Sequence, residues 1–108
     1  MRPLLHGDVV MAAKVLLGVG GAERAGLMRE MLERAHTADL YFKRFERGHP
    51  SWGNGSLMAV AMGYDLAPEP FLDDPEYCHC WMVVFEAIIA WRNERAVFGC
   101  SPKKRKLQ

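Results

Sequence analysis

Cys78, His79 and Cys80 form a run whose residue types are those of a metal site. On a helix the spacing works against it, because residues two apart point about 200° from one another and the two thiols could share an ion only if the helix unwound. Small apolar thiols in a packed helix are the plainer reading. His36 and Asp39 do fall on one helical face. A carboxylate beside an imidazole can act as a base, but no nucleophile or third partner accompanies them, and a solvated polar pair is expected. A catalytic reading would need a cleft that gathers His36, Asp39 or His49 with a nucleophile. No catalytic residue, metal or cofactor is assigned.

The densest cluster of unusual residues is GHPSWGNGSLM, residues 48–58. Gly48 and Gly53 have the four-residue gap of a phosphate-binding loop, yet Asn54 and Gly55 stand where its lysine and hydroxyl residue belong. A phosphate loop also follows a strand, whereas a helical pattern leads into this one. In GVGGAERAG, Glu23 occupies the third glycine position of a dinucleotide fingerprint, so that match is noise as well. Trp52 could stack on a base or a ligand. The expected role is structural, with Trp52 plugging a gap between helices and Asn54 and Gly55 supplying the positive φ of a tight turn. Met28, Met31, Met58, Met62 and Met82 could form an adaptable groove, although core filling is the ordinary use of methionine at helical spacing.

At the far end, Lys103, Lys104, Arg105 and Lys106 are four consecutive cations in the segment CSPKKRKLQ. Such a run on a mobile tail can neutralise several phosphates and bind DNA without regard to sequence, or dock on an acidic partner. The glycine-bounded junction near residue 20 also permits a helix-turn-helix. Its recognition helix, however, would lack Asn or Gln for base edges, and Arg24, Arg29 and Arg34 do not line up.

These residues need elements to position them. Asp8 is placed to cap a short helix through Leu17, closed by Gly18. From about Ala22 to Glu46 apolar residues recur every three or four positions, and Glu30 with Arg34 forms an outward ion pair, which predicts a long amphipathic helix. Ser56 can cap a third, two-turn helix. YDLAPEPFLDD then carries two prolines, and five acids without a base run from Asp65 to Glu76, which predicts an extended connector. Asp74 and Pro75 are strong start signals for a last helix to about Phe98. Its main apolar stripe reads as Trp81, Val84, Phe85, Ile88 and Trp91, but Met82, Val83 and Ile89 make it apolar on nearly every side. A helix of that kind is central or lies in an oligomer interface, and those five stripe residues are the candidates for it.

The expected fold is therefore all-α: one domain over residues 1–99, built on a long hairpin of the second and fourth helices with two shorter helices, and a flexible basic tail over 100–108. The chain has 108 residues, half of them apolar, which suits a single core. Fourteen bases nearly cancel thirteen acids, so any nucleic-acid affinity must be local. Three cysteines without a secretory signal favour free thiols in the cytoplasm, and the most apolar stretch is too short for a bilayer.

Taken whole, the chain resembles a group of short bacterial proteins that keep the HPSWGNGSLM loop, the APEPFLDDPEYC connector and a helical ending, over roughly residues 4 to 92. They are encoded beside the DNA-packaging genes of gene transfer agents, phage-like particles released by some bacteria. The resemblance implies a small terminase subunit, a non-catalytic homo-oligomeric adaptor that presents DNA to the motor and contacts the large terminase subunit. The chain departs from the usual pattern in lacking a convincing N-terminal DNA-binding domain, so DNA binding should be weak and non-specific. A regulatory interaction module that binds a partner helix and no DNA is the competing expectation.

Overall fold

A computed structural model describes residues 2–99, with side chains through Arg95. The basic tail, including Lys103, Lys104, Arg105 and Lys106, lies outside the described residues, as does Cys100. The described chain is all-helical, in the order α1 (His6–Leu17), a single 3₁₀ turn (Gly21–Glu23), α2 (Arg24–Phe45), α3 (Leu57–Ala61) and α4 (Pro75–Gly99). Among the described residues no helix is long and apolar enough to cross a membrane.

Local capping accounts for most of the boundaries. Asp74 Oδ1 accepts the Tyr77 amide at 3.1 Å and Pro75 opens α4. Ser56 Oγ accepts the Ala59 amide at 3.1 Å and starts α3. The first boundary differs from the sequence reading. Asp8 lies inside α1 rather than before it: its Oδ2 reaches back to the Leu5 amide at 2.8 Å, while Oδ1 accepts the Met58 amide at 2.9 Å. One buried carboxylate thus caps the N-terminus of α1 and satisfies an amide in the first turn of α3, a long-range role that local spacing does not reveal.

The core is filled by Val9, Ala12, Ala13 and Leu16 of α1, Met28, Met31, Leu32 and Ala35 of α2, Leu57 and Val60 of α3, and Tyr77, Cys80 and Val84 of α4. The two long helices do pack together, but α4 also lies against α1, and α1 against α3. Contact on two sides changes which face of α4 is inside. Tyr77, Cys80, Val83, Val84 and Trp91 are buried, whereas Phe85, in the middle of the expected stripe, is exposed. The connector is held rather than loose, since the Ala67 amide bonds the Lys14 carbonyl at 3.3 Å and the Tyr77 hydroxyl donates to Glu69 at 3.0 Å.

Candidate interaction face and the loop beside the core

The residues of the 46–56 loop are bound to one another. His49 and Gly53 form an antiparallel bridge, His49 N to Gly53 O at 2.7 Å and Gly53 N to His49 O at 3.2 Å. His49 Nδ1 accepts the amides of Ser51 and Trp52 at 3.0 and 3.2 Å, so that nitrogen carries the lone pair. The His49 ring stacks on Trp52 at 4.6 Å with planes 6° apart, and Tyr41 meets it edge-on at 5.0 Å. Arg34 covers the other aromatic surfaces, 5.4 Å from the Trp52 centroid and 5.7 Å from that of Tyr64, while donating to the Tyr64 hydroxyl at 2.7 Å and pairing with Glu30 at 2.6 Å. Burial pushes the Tyr64 phenol upward.

Two glycines fix this loop. Gly53 has φ +81° and Gly55 φ +101°, and a methyl at Gly55 would lie 2.7 Å from Cα of Asp39. Asn54, expected to share the positive φ with Gly55, does not; its Oδ1 accepts the Ser56 amide at 3.1 Å and tightens the turn from the side. The left-handed residue that ends α2 is instead Glu46, at φ +57°.

The His36 and Asp39 pair is not solvated. Asp39 is buried, with Lys43 Nζ 3.1 Å from Oδ2 and Arg2 Nε 4.0 Å from Oδ1. Burial, the largest single influence, would raise its carboxyl, and the positive charges beside it, Lys43 among them, together hold it below the usual range. His36 sits edge-on to Trp91 at 5.7 Å, and burial lowers its imidazole. The sequence reading also missed that Arg24 is buried. Arg24 donates Nε to the Leu16 carbonyl at 3.0 Å, Nη2 to Glu76 at 3.0 Å and Nη1 to His79 Nδ1 at 3.1 Å, locking the end of α1 to the start of α4. A glycine-rich junction followed by a lone arginine is the only local signal for it. Cys80 is buried, and burial raises its thiol, whereas Cys78 is exposed with its Sγ donating to the Leu72 carbonyl at 2.6 Å. Among the described residues no three His, Cys, Asp or Glu side chains gather as a metal site.

One exposed apolar surface lies on α4. Of the five stripe residues, Val84 and Trp91 are buried in the chain's own core, Trp91 beneath Arg29 and Arg95, and a partner cannot reach them without opening the fold. Trp81 and Ile88 are half-buried, and Phe85 is 46% exposed. Beside them Met82 and Ile89 stand 58% and 59% exposed, on the same helical face as Phe85. An open groove of about 500 Å³ runs along this face, walled by Leu5 and Val9 on one side and Trp81, Phe85 and Ile88 on the other, with Arg92 at its end. Leu5, which the sequence reading passed over, is 70% exposed at its rim. The methionines form no common groove, since Met28 and Met31 are in the core and Met62 and Met82 are exposed.

The groove is lined mainly by apolar side chains, with His6 and Arg92 the polar ones among them, and such a lining suits contact with another apolar surface. No curated protein and no solved structure matches the chain. Residues 2–88, which span all four helices up to the groove, match the family described as Domain of unknown function (DUF7742), and the chain belongs to that family.

Proposed function

We propose that the chain is the small terminase subunit of a gene transfer agent, a non-catalytic homo-oligomeric adaptor that acts in the cytoplasm. It contacts the large terminase subunit and binds DNA weakly and without sequence preference. The reading is carried by the resemblance of the HPSWGNGSLM and APEPFLDDPEYC segments to the short proteins encoded beside packaging genes. The all-helical fold and the exposed apolar face of α4 suit an assembling adaptor. Within the stripe first considered for assembly, Trp81, Phe85 and Ile88 remain available to a partner.

DNA affinity is assigned to Lys103, Lys104, Arg105 and Lys106. Four cations that each displace a counterion give a slope of log K on log salt of about −3.6. Binding should then weaken about 100-fold between 50 and 200 mM salt. A gel-shift titration at both salts, with and without deletion of Lys103–Lys106, tests this. Affinity that falls with salt and is lost on deletion is the expected result. No binding at low salt, or binding indifferent to the deletion, removes DNA from the reading and favours a regulatory module that engages a partner protein alone. Co-purification with the large terminase subunit tests the adaptor role.

A further inference from the structure

We propose that the folded domain carries a DNA contact of its own, a basic strip along the C-terminal half of α2 that takes the phosphate backbone of a duplex. Residues 2–95 hold ten bases against thirteen acids, so no general positive field draws DNA to the domain. Six of those bases nonetheless gather at one end. Arg95 lies over Trp91 at 4.2 Å, Trp91 meets His36 edge-on at 5.7 Å, and Arg95 and Lys43 both lie close enough to act on the His36 imidazole. One turn further along α2, Arg2 and Lys43 flank Asp39, and the Arg2 guanidinium covers Phe42 at 5.1 Å. Arg44, over Phe45 at 5.6 Å, and Arg47 continue the strip to the end of the helix and past it. Arg92, which lines the same groove as Pro3, borders it on the α4 side.

The acids nearby are spent or outnumbered. Asp39 is buried and offsets Lys43 at 3.1 Å. Glu94 is taken by Arg29 at 2.8 and 2.6 Å, with Glu33 on the same guanidinium, and that trio stands at the margin. Glu46 is exposed among the six bases. Among the described residues no acid pairs with Arg44, Arg47, Arg92 or Arg95, and all four are exposed. Lys43 and Arg44 also suit the C-terminus of a helix, whose partial negative charge favours cations. That reason does not extend to Arg2, which precedes α1, or to Arg92 and Arg95, which stand before the last turn of α4. Shape then selects the anion. From His36 to Phe45 the helix rises about 13 Å, the axial length of about four phosphates on one strand. A row of cations along a helix follows a polymer backbone, and the planar fork of arginine matches phosphate oxygens.

The strip rests on the packaging reading for its ligand and adds to the tail a contact that only the fold assembles. Fluorescence anisotropy of a labelled DNA duplex with the full-length chain tests it. The four tail cations alone give a slope of log K on log salt of about −3.6, and the strip steepens it. Arg47→Gln with Arg95→Gln should return about 1.8 of that slope and weaken binding about tenfold at 50 mM salt, with the thermal melt confirming the fold. Lys14→Gln, on α1, should change neither. When Lys103–Lys106 are all replaced by Gln, weak binding should persist below about 50 mM salt. If the tail-neutralised chain binds nothing there while the natural chain binds, the strip is overturned and the tail remains. An unaffected Arg47→Gln, Arg95→Gln chain, or a Lys14→Gln chain weakened as much, has the same consequence. If polyglutamate displaces the duplex from the tail-neutralised chain as well as unlabelled duplex does, the strip faces an acidic protein and the proposal fails. No binding by the natural chain at any salt overturns the strip and the DNA part of the packaging reading together.

Discussion

The loop at 46–56 and the outer face of α4 use their residues in opposite ways. The loop holds the residues that look most chemical, and nearly every polar group described there is taken up inside the chain: His49 Nδ1 by two amides, Asn54 by Ser56, and Arg34 by Glu30 and Tyr64. The α4 face presents Met82, Phe85 and Ile89, which remain 46% to 59% exposed. Polar groups in a confined loop must pair with something, and these pair with one another. Apolar groups left in water retain their capacity to stabilise an association.

The sharpest way to break this contrast is at Gly55. Gly55→Ala combines a disfavoured backbone with a clash against Asp39, and should cost about 3 kcal/mol in urea unfolding. An unchanged midpoint would show that the loop is not fixed as described. Trp52→Ala removes a half-buried ring that stacks on His49 and carries Arg34, for about 2 kcal/mol, below the cost of a fully buried tryptophan. Adjacent positions on α4 should then separate. Val84→Ala, inside the core, loses about 2 kcal/mol, while Phe85→Ser changes the unfolding of dilute monomer by less than about 0.5 kcal/mol. Equal costs at 84 and 85 would mean that the outer face is not outer.

The smallest effect is on pH dependence. Burial holds His36 below its ordinary value of 6.5, so the unfolded chain takes up that proton first and stability declines as pH falls below 6.5. Asp39 is held below its ordinary 3.8, the neighbouring positive charges together prevailing over burial; its contribution is present above that value and is lost as pH falls through the folded one. His36→Gln should flatten the first limb and Asp39→Asn the second, as followed by thermal melts across pH.

Much of the fold could be read locally. Ser56 and Asp74 cap where their spacing placed them, and the prolines kept helix out of the connector. The face of α4 could not be read that way, because a helix apolar on nearly every side has no periodic signal to orient it; the placement of α1 and α2 against it chose Val84 over Phe85. Asp8 and Arg24 were hidden for a related reason. Each has partners about 50 residues away, Met58 for one and Glu76 and His79 for the other. The groove was equally out of reach, since Leu5 and Phe85 are 80 positions apart and meet only once α1 lies on α4.

By itself, then, the sequence determined the helices, their caps and their order, because those depend on dihedral preferences and hydrogen bonds within a few residues. It also determined that the loop lacks the cation of a phosphate site. Tertiary structure alone decided which apolar residues are buried and which remain exposed. Burial is a property of what packs against a residue, and for α4 the two neighbours that settle it come from the other half of the chain.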